Sequence, residues 1–169
     1  MNFKKSLFSL LLFAGFAAAV FAQEKPSPAK TAEGAVGDAK ITVNYSSPAV
    51  KGRVIWGDLV PLGQVWRAGA NEATTFTTTK DLMVEGKELP AGTYSFFIIP
   101  DEYQSTFIFN KVAKQWGAFN YDAAEDQLRV SVPSGQSSTM EERLKYEIKD
   151  GKLTVKWEYG EASAKLAAK

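Results

Sequence analysis

Residues 144–159 read Leu144-Lys145-Tyr146-Glu147-Ile148-Lys149-Asp150-Gly151-Lys152-Leu153-Thr154-Val155-Lys156-Trp157-Glu158-Tyr159, and this stretch decides the fold. Apolar residues alternate with charged or hydroxyl-bearing residues on both sides of Asp150-Gly151, a pair that favours a two-residue hairpin turn. Such alternation is typical of strands with one face against a core and the other toward water. The stretch therefore predicts an antiparallel hairpin that is half exposed.

Short runs rich in β-branched and aromatic residues precede this hairpin. We predict strands over 41–45, 73–79, 82–84, 93–99 and 106–110. Gly, Pro and Asp separate these runs, which is the pattern of an all-β protein. The sequence therefore predicts a single antiparallel β-sandwich domain, of jelly-roll or immunoglobulin-like type, over residues 38–160.

The predicted strand over 93–99 is apolar on both faces. Tyr94, Phe96 and Ile98 point to one side, while Phe97 and Ile99 point to the other. One face of a sandwich sheet normally meets water. We therefore expect the second face to be covered by a loop or used to hold a ligand.

Residues 1–22 have the pattern of an export signal. Lys4 and Lys5 precede an apolar run over 7–20, and Val20-Phe21-Ala22 offers a cleavage site. We predict cleavage after Ala22, a periplasmic or secreted location, and no membrane span in the remaining chain.

The two ends of the mature chain differ from its centre in composition. Residues 23–37 are rich in Lys, Pro, Ser, Ala and Gly and have no apolar period, so we predict a flexible linker. Residues 161–169 form a predicted C-terminal tail. Whether residues 162–169 form an edge strand or a frayed helix stays open, although their Ala and Lys content favours helix over strand.

Composition excludes several classes of function. The chain contains no His and no Cys, so it has no Ser-His-Asp triad, no His-ligated zinc, no thiol nucleophile and no disulfide. Lys4 and Lys5 are the only charged residues among the first 22, so the 20 basic and 19 acidic residues of the whole chain become 18 and 19. This balance gives no reason to expect nucleic acid as a partner. We predict no cofactor and no metal.

The segment Trp66-Arg67-Ala68-Gly69-Ala70-Asn71-Glu72 is the densest group of side chains suited to a polar ligand. Arg supplies a fork of donors, Asn supplies a donor and an acceptor, and Trp supplies a flat apolar face. The predicted loop over 111–126 adds further aromatic and polar residues. The predicted ligand-binding residues are Arg53, Trp66, Arg67, Asn71, Glu72, Trp116, Asn120 and Tyr121.

A structural interpretation of the same residues stays open. Arg67 and Glu72 suit an ion pair that braces the segment. Gly69 suits a backbone turn that Ala does not adopt, and Asn71 suits hydrogen bonds to loop amides. Either interpretation explains the composition of the segment.

Several motifs in the chain resemble those of the exported bacterial family known as domain of unknown function 2911. The motifs are Tyr45-Ser46-Ser47-Pro48, Lys51-Gly52-Arg53, Leu59-Val60-Pro61, Val65-Trp66-Arg67-Ala68-Gly69-Ala70-Asn71-Glu72-Ala73-Thr74, Gly92-Thr93-Tyr94-Ser95 and Trp116-Gly117-Ala118-Phe119-Asn120-Tyr121. The resemblance covers nearly the whole mature domain, and it implies no activity.

We therefore expect a binding module for a polar small molecule or glycan. The alternative is a carboxylate-dependent, glycosidase-like hydrolase in which Glu72 acts with Asp122 or Asp126. A purely structural envelope protein is the third interpretation. The sequence favours binding over catalysis, because it contains no nucleophile with a recognisable activating partner.

Overall fold

The computed structural model describes residues 26–169, which form nine β-strands, one 3-10 helix and no α-helix. The elements are β1 Ala29–Val36, β2 Ala39–Ser46, β3 Thr74–Thr78, β4 Leu82–Val84, β5 Lys87–Leu89, β6 Gly92–Ile99, β7 Gln104–Asn110, the 3-10 helix Ala123–Glu125, β8 Asp126–Lys149 and β9 Lys152–Ala168. The predicted signal peptide and the first residues of the predicted linker lie outside the described residues.

The nine described strands form one antiparallel sheet with the order β1-β2-β3-β6-β7-β8-β9-β4-β5. The predicted all-β antiparallel class is therefore confirmed. The jelly-roll or immunoglobulin-like arrangement stays a prediction, since hydrogen bonds join these strands into a continuous sheet.

The hairpin between β8 and β9 follows the sequence pattern closely. Ile148 pairs with Leu153, and Tyr146 pairs with Val155. The turn residues Asp150 and Gly151 have φ values of 50° and 67°, the left-handed conformation that this type of hairpin turn requires.

The long strand β8 pairs with two different strands and so joins two parts of the sheet. The first part of β8 pairs with β7 and its second part pairs with β9. Tyr146, in that second part, lies with its ring centroid 4.8 Å from Tyr45 of β2 and 6.2 Å from Phe96 of β6. Both ends of β8 therefore contribute to a shared hydrophobic core.

The predicted flexible linker is wrong for residues 29–36, which form β1. This strand pairs with β2 from Ala29↔Ser46 to Val36↔Ala39. Its partly buried face carries small residues, including Ala32 and Gly34, because it packs closely on β8. A Cβ on Gly34 would lie 2.5 Å from Ile148 Cγ2. Small residues give no visible apolar period, so the strand escaped the sequence pattern.

The predicted helical preference of residues 161–169 is also wrong, because β9 continues to Ala168. Ala162, Ala164 and Leu166 are buried in alternation with more exposed residues. The end of the strand pairs with β4, for example Leu166 with Val84. Burial of one face therefore outweighs the helix propensity of alanine.

Loops cover the second apolar face of β6. This is one of the two arrangements expected for that face. Phe97 of β6, Ile108 of β7 and Ala73 form a separate buried cluster. Ala118 and Tyr121, from the loop before β8, pack against it. The loop over 111–126 therefore shields the outer side of the central strands.

Candidate functional site

The predicted polar segment is fixed to the sheet by its backbone. Trp66 forms an isolated antiparallel bridge with Ile98 of β6. The carbonyl oxygen of Ala68 accepts hydrogen bonds from the hydroxyls of Thr74 at 2.9 Å and Tyr146 at 2.7 Å. Ala68 has φ 56°, a conformation unfavourable for Ala. These buried hydrogen bonds hold the segment in its strained shape.

Gly69 has a different role from the predicted one. The left-handed residues of the segment are Ala68 and Asn71, with Asn71 at φ 60°. Gly69 is instead required by space, because a Cβ there would lie 2.9 Å from Thr74 Oγ1 and 3.1 Å from the carbonyl oxygen of Ser46. The Asn71 side-chain amide donates to Ser46 Oγ at 3.2 Å, so its contact is with a side chain of the protein.

Arg67 and Glu72 form no salt bridge with each other within the described part of the chain. Arg67 is half-buried, its Nε has no hydrogen-bond partner among residues 26–169, and burial lowers its pKa. Glu72 is exposed and forms an isolated backbone bridge with Trp116. The ion-pair brace is therefore not observed, although Glu72 and Trp116 do come together.

Arg53 lies apart from this segment and stabilises its own turn. Its guanidinium donates from Nε to the Val50 carbonyl oxygen at 3.0 Å and from Nη2 to the Ala49 carbonyl oxygen. These contacts use two of the five N–H donors of the guanidinium.

The predicted residues of the second loop have separate environments. The side chain of Trp116 is exposed, 58% of its surface remaining accessible, and Asn120 is exposed as well. Tyr121 is partly buried, with its ring centroid 5.0 Å from that of Phe97. Tyr121 therefore packs on the sheet, while Trp116 and Asn120 face solvent.

Tyr121 also belongs to a polar network with Asp126 and Arg129. The Tyr121 hydroxyl donates to Asp126 Oδ2 at 2.5 Å, and Arg129 donates to both groups, at 2.6 Å to Asp126 and 2.7 Å to Tyr121. Burial and the Asp126 carboxylate raise the Tyr121 pKa, and the hydrogen bond to Tyr121 raises the Arg129 pKa. Asp126 is therefore committed to structure, which leaves it poorly placed as a hydrolytic acid.

A buried amide cluster lies beside this network, and sequence reasoning missed it. Gln115 Nε2 donates to Ser95 Oγ at 3.1 Å and to Asn110 Oδ1 at 3.1 Å. Asn110 Nδ2 in turn donates to Asp126 Oδ1 at 2.9 Å. Within residues 26–169, the Ser95 hydroxyl therefore accepts its side-chain hydrogen bond from an amide and not from a group that could act as a base.

A cavity of about 730 Å³ opens at the surface of the described residues. Its lining comes from four parts of the chain: the loop before β3, the β6–β7 turn, the middle of β8 and the middle of β9. The lining residues are Trp56, Leu62, Trp66, Ile98, Pro100, Asp101, Glu102, Tyr103, Ser105, Ser134, Gly135, Gln136, Val155, Trp157, Glu158, Tyr159, Gly160, Glu161 and Ala162. Tyr103 and Tyr159 are exposed, which places the mouth of the cavity at the surface.

Three tryptophans form the wall of this cavity. Trp66 and Trp157 stack with centroids 6.0 Å apart and an interplanar angle of 15°. Trp56 lies edge-on to both, at 5.8 Å from Trp66 and 6.2 Å from Trp157. Its Nε1 donates to the Trp157 carbonyl oxygen at 3.2 Å. Gly160 permits this approach, since a Cβ there would lie 2.5 Å from Trp56 Nε1.

One wall residue carries an unused hydrogen-bond donor. Trp157 is 2% exposed, and its indole N–H has no partner within residues 26–169. A buried N–H without a partner costs free energy of roughly 1–3 kcal/mol. The nitrogen itself is not accessible to solvent, so an oxygen of a bound molecule would remove this cost only with a shift of the side chains around it.

Only one predicted site residue, Trp66, lines the cavity; the other seven do not. Trp157 and Tyr159 were visible in the sequence as members of an alternating strand, a pattern that indicates core rather than site. The signal that distinguishes them is three-dimensional: the register shifts in the β8–β9 pairing and the convergence of four distant segments. The described residues contain no group of three or more His, Cys, Asp or Glu able to hold a metal ion.

Fold and cavity together define a class, an all-β antiparallel protein with a tryptophan-walled cavity. The chain belongs to the DUF2911 family, described as a protein of unknown function, whose model matches residues 27–166. The family resemblance seen in the sequence is thereby confirmed. No curated protein and no solved structure matches this chain. Within residues 26–169, none of the helical structure is long and apolar enough to cross a membrane.

Proposed function

We propose that this protein is a binding module, and that the tryptophan-walled cavity holds a polar small molecule or a sugar unit of a glycan. The observation that carries the proposal is the combination of aromatic rings with an unpaired buried N–H in a cavity of about 730 Å³. Cavities of this size and lining are typical of small-molecule sites. Flat apolar rings suit the C–H face of a sugar, and polar side chains at the mouth suit its hydroxyls.

The structure shifts the proposed site away from the segment 66–72. In that segment Asn71 contacts Ser46, and the Ala68 carbonyl oxygen is occupied by two hydroxyls. The segment nevertheless matters to the cavity, because its backbone bridge to Ile98 positions Trp66 in the wall. Trp66 is therefore the one residue of the segment that lines the proposed site, and the rest of the segment positions it.

Thermal unfolding against a panel of compounds tests the proposal. The panel contains monosaccharides, amino sugars, hydroxy acids and amino acids. A compound present at one hundred times its dissociation constant adds about 2.7 kcal/mol to the free energy of unfolding. We expect at least one compound to raise the midpoint; if the whole panel leaves it unchanged, the binding proposal fails.

A blocking variant and a matched control locate the effect. Gly135 lines the cavity, and a Cβ there would meet no atom within 4 Å, so we expect Gly135→Phe to fit, to obstruct the cavity and to abolish the midpoint shift. Ser138→Phe places the same ring on the exposed face of β8 outside the lining and should preserve the shift. Equal loss in both variants would place the ligand elsewhere.

We also propose that the protein acts outside the cytoplasm, in the periplasm or after secretion. The support is the charged, apolar and small-residue pattern of residues 1–22. Mass spectrometry of the protein from an expressing bacterium should find Gln23 as the first residue. Recovery of the uncleaved chain from the cytoplasm would contradict this location.

A further inference from the structure

The cavity mouth is one-sided in charge. The described lining residues include four acids, Asp101, Glu102, Glu158 and Glu161, and neither Lys nor Arg. The chain as a whole is nearly neutral, so this concentration is local. Lys156 is not a lining residue, but its Nζ lies 3.7 Å from Glu161 Oε2 and offsets the charge of that carboxylate.

A bulge in the β8–β9 pairing gathers these groups on one side. Gln136 pairs with Gly160 and Glu141 pairs with Glu158, with shifts in register between them. Glu158 has φ 55°, a conformation disfavoured for Glu. In a regular strand, consecutive residues point to opposite faces, whereas here residues 157–162 all contribute to the lining.

We propose that the cavity selects an amine-bearing polyol, such as an amino sugar, over its neutral and acidic analogues. The inference rests on the proposed binding function and names the ligand class for that cavity. The ammonium group of such a ligand compensates the carboxylates at the mouth, and aromatic faces attract cations. With a shift of the side chains around Trp157, a hydroxyl oxygen of the same ligand accepts the hydrogen bond of the buried indole N–H, which has no partner within residues 26–169.

The acceptor requirement narrows the class further than charge alone. A simple alkylammonium ion would satisfy the carboxylates but offers no lone pair to the indole N–H. A neutral sugar would satisfy the N–H but adds no counter-charge to Asp101, Glu102 and Glu158. A molecule that carries both groups meets both requirements.

Three sugars of matched size test the selection: glucosamine, glucose and glucuronate. Their charges at neutral pH are positive, zero and negative, while the ring is shared. Quenching of tryptophan fluorescence, with calorimetry as a second readout, gives each dissociation constant. We expect glucosamine to bind about tenfold more tightly than glucose, and glucuronate to bind more weakly than either, because several partly exposed charges act together. The ratio of the glucose and glucosamine dissociation constants should approach one in about 0.5 M salt, because at that ionic strength charges are screened beyond a few ångström.

Single substitutions test whether the acidic residues at the cavity mouth cause the preference for glucosamine. Glu102→Gln and Glu158→Gln should each weaken glucosamine binding by up to about fivefold and leave glucose binding unchanged. Glu33→Gln, at an exposed position of β1 outside the lining, is the matched control and should change neither. Unfolding midpoints of the three variants show whether each remains folded.

The outcomes separate this inference from the proposed function. If glucose and glucosamine bind equally, and the two glutamine variants bind both normally, charge selection is overturned while the binding function stands. If glucuronate binds most tightly, the inference is overturned in the same way. If these sugars and the wider panel all fail to bind, the inference and the proposed function fall together.

Discussion

At the scale of single residues, the space around Gly69 determines how the segment 66–72 lies on the sheet. A Cβ at this position would lie 2.9 Å from Thr74 Oγ1 and 3.1 Å from the Ser46 carbonyl oxygen, closer than side chains normally approach. Thr74 is held by its hydrogen bond to Ala68, so it has little freedom to move. The position requires glycine because of this close contact and not because of its φ angle.

We predict that Gly69→Ala lowers the free energy of unfolding by about 1–3 kcal/mol, the usual cost of forcing an atom into a packed site. Gly135→Ala is the control, because its Cβ meets open space and its backbone is not left-handed. That variant should be neutral or stabilising by up to about 1 kcal/mol. Denaturant unfolding measures both, and equal stability of the two would contradict the packing argument.

At the scale of elements, the two ends of the described chain are strands that cover the core. β1 adds to the edge of the sheet through β2, and the end of β9 pairs with β4. Both carry small residues on their buried face, for example Gly34 against Ile148. Close packing therefore substitutes for the large apolar side chains found in the central strands.

Hydrogen exchange tests this assignment of the chain ends. Amide protons of Ala29–Val36 that bond to β2 should exchange at least about tenfold more slowly than those of an unstructured peptide, since local opening must precede exchange. The exposed residues Lys114 and Asn120, whose amides donate no hydrogen bond within residues 26–169, serve as internal references for fast exchange. Exchange across β1 as fast as in an unstructured peptide would restore the linker prediction.

Period-two alternation was sufficient to predict the central strands and the final hairpin. It failed where the buried residues are Ala and Gly, as in β1 and the end of β9, because a small residue gives the same pattern inside or outside a core. It also failed for the cavity, since Trp157 and Val155 read as core residues of a strand. Trp157 belongs to a cavity wall only because Trp56 and Trp66, from a distant part of the chain, pack against it.

At the scale of the whole molecule, the burial of tyrosines makes the free energy of unfolding depend on pH in the alkaline range. Burial raises the pKa of Tyr146 well above its ordinary value of 10.0, and burial also raises the pKa values of Tyr45 and Tyr94. Above pH 10.0 the unfolded chain releases these protons while the folded chain keeps them. The stability that they contribute is therefore complete below this pH and is lost as the pH rises.

We predict that in Tyr146→Phe the free energy of unfolding falls less steeply with pH in the alkaline range. The slope changes by up to the amount that one proton contributes, about 1.4 kcal/mol per pH unit. At neutral pH the substitution should cost only about 1 kcal/mol, because the Ala68 carbonyl oxygen keeps its hydrogen bond from Thr74. Denaturant unfolding from pH 8 to about 11 measures the slope. An unchanged slope would show that Tyr146 does not contribute to it.

The cavity is the central claim about the whole molecule, and the four tryptophans of the chain report on it directly. Trp56, Trp66 and Trp157 line the cavity, whereas Trp116 lies in the separate loop over 111–126. We would record the indole N–H signals of nitrogen-labelled protein by NMR, with glucosamine and then glucose added. We predict that the Trp157 signal moves most, the other two cavity signals move less, and the Trp116 signal stays in place. Movement of Trp116 alone, or of none of the four, would contradict the assignment of the binding site to the cavity.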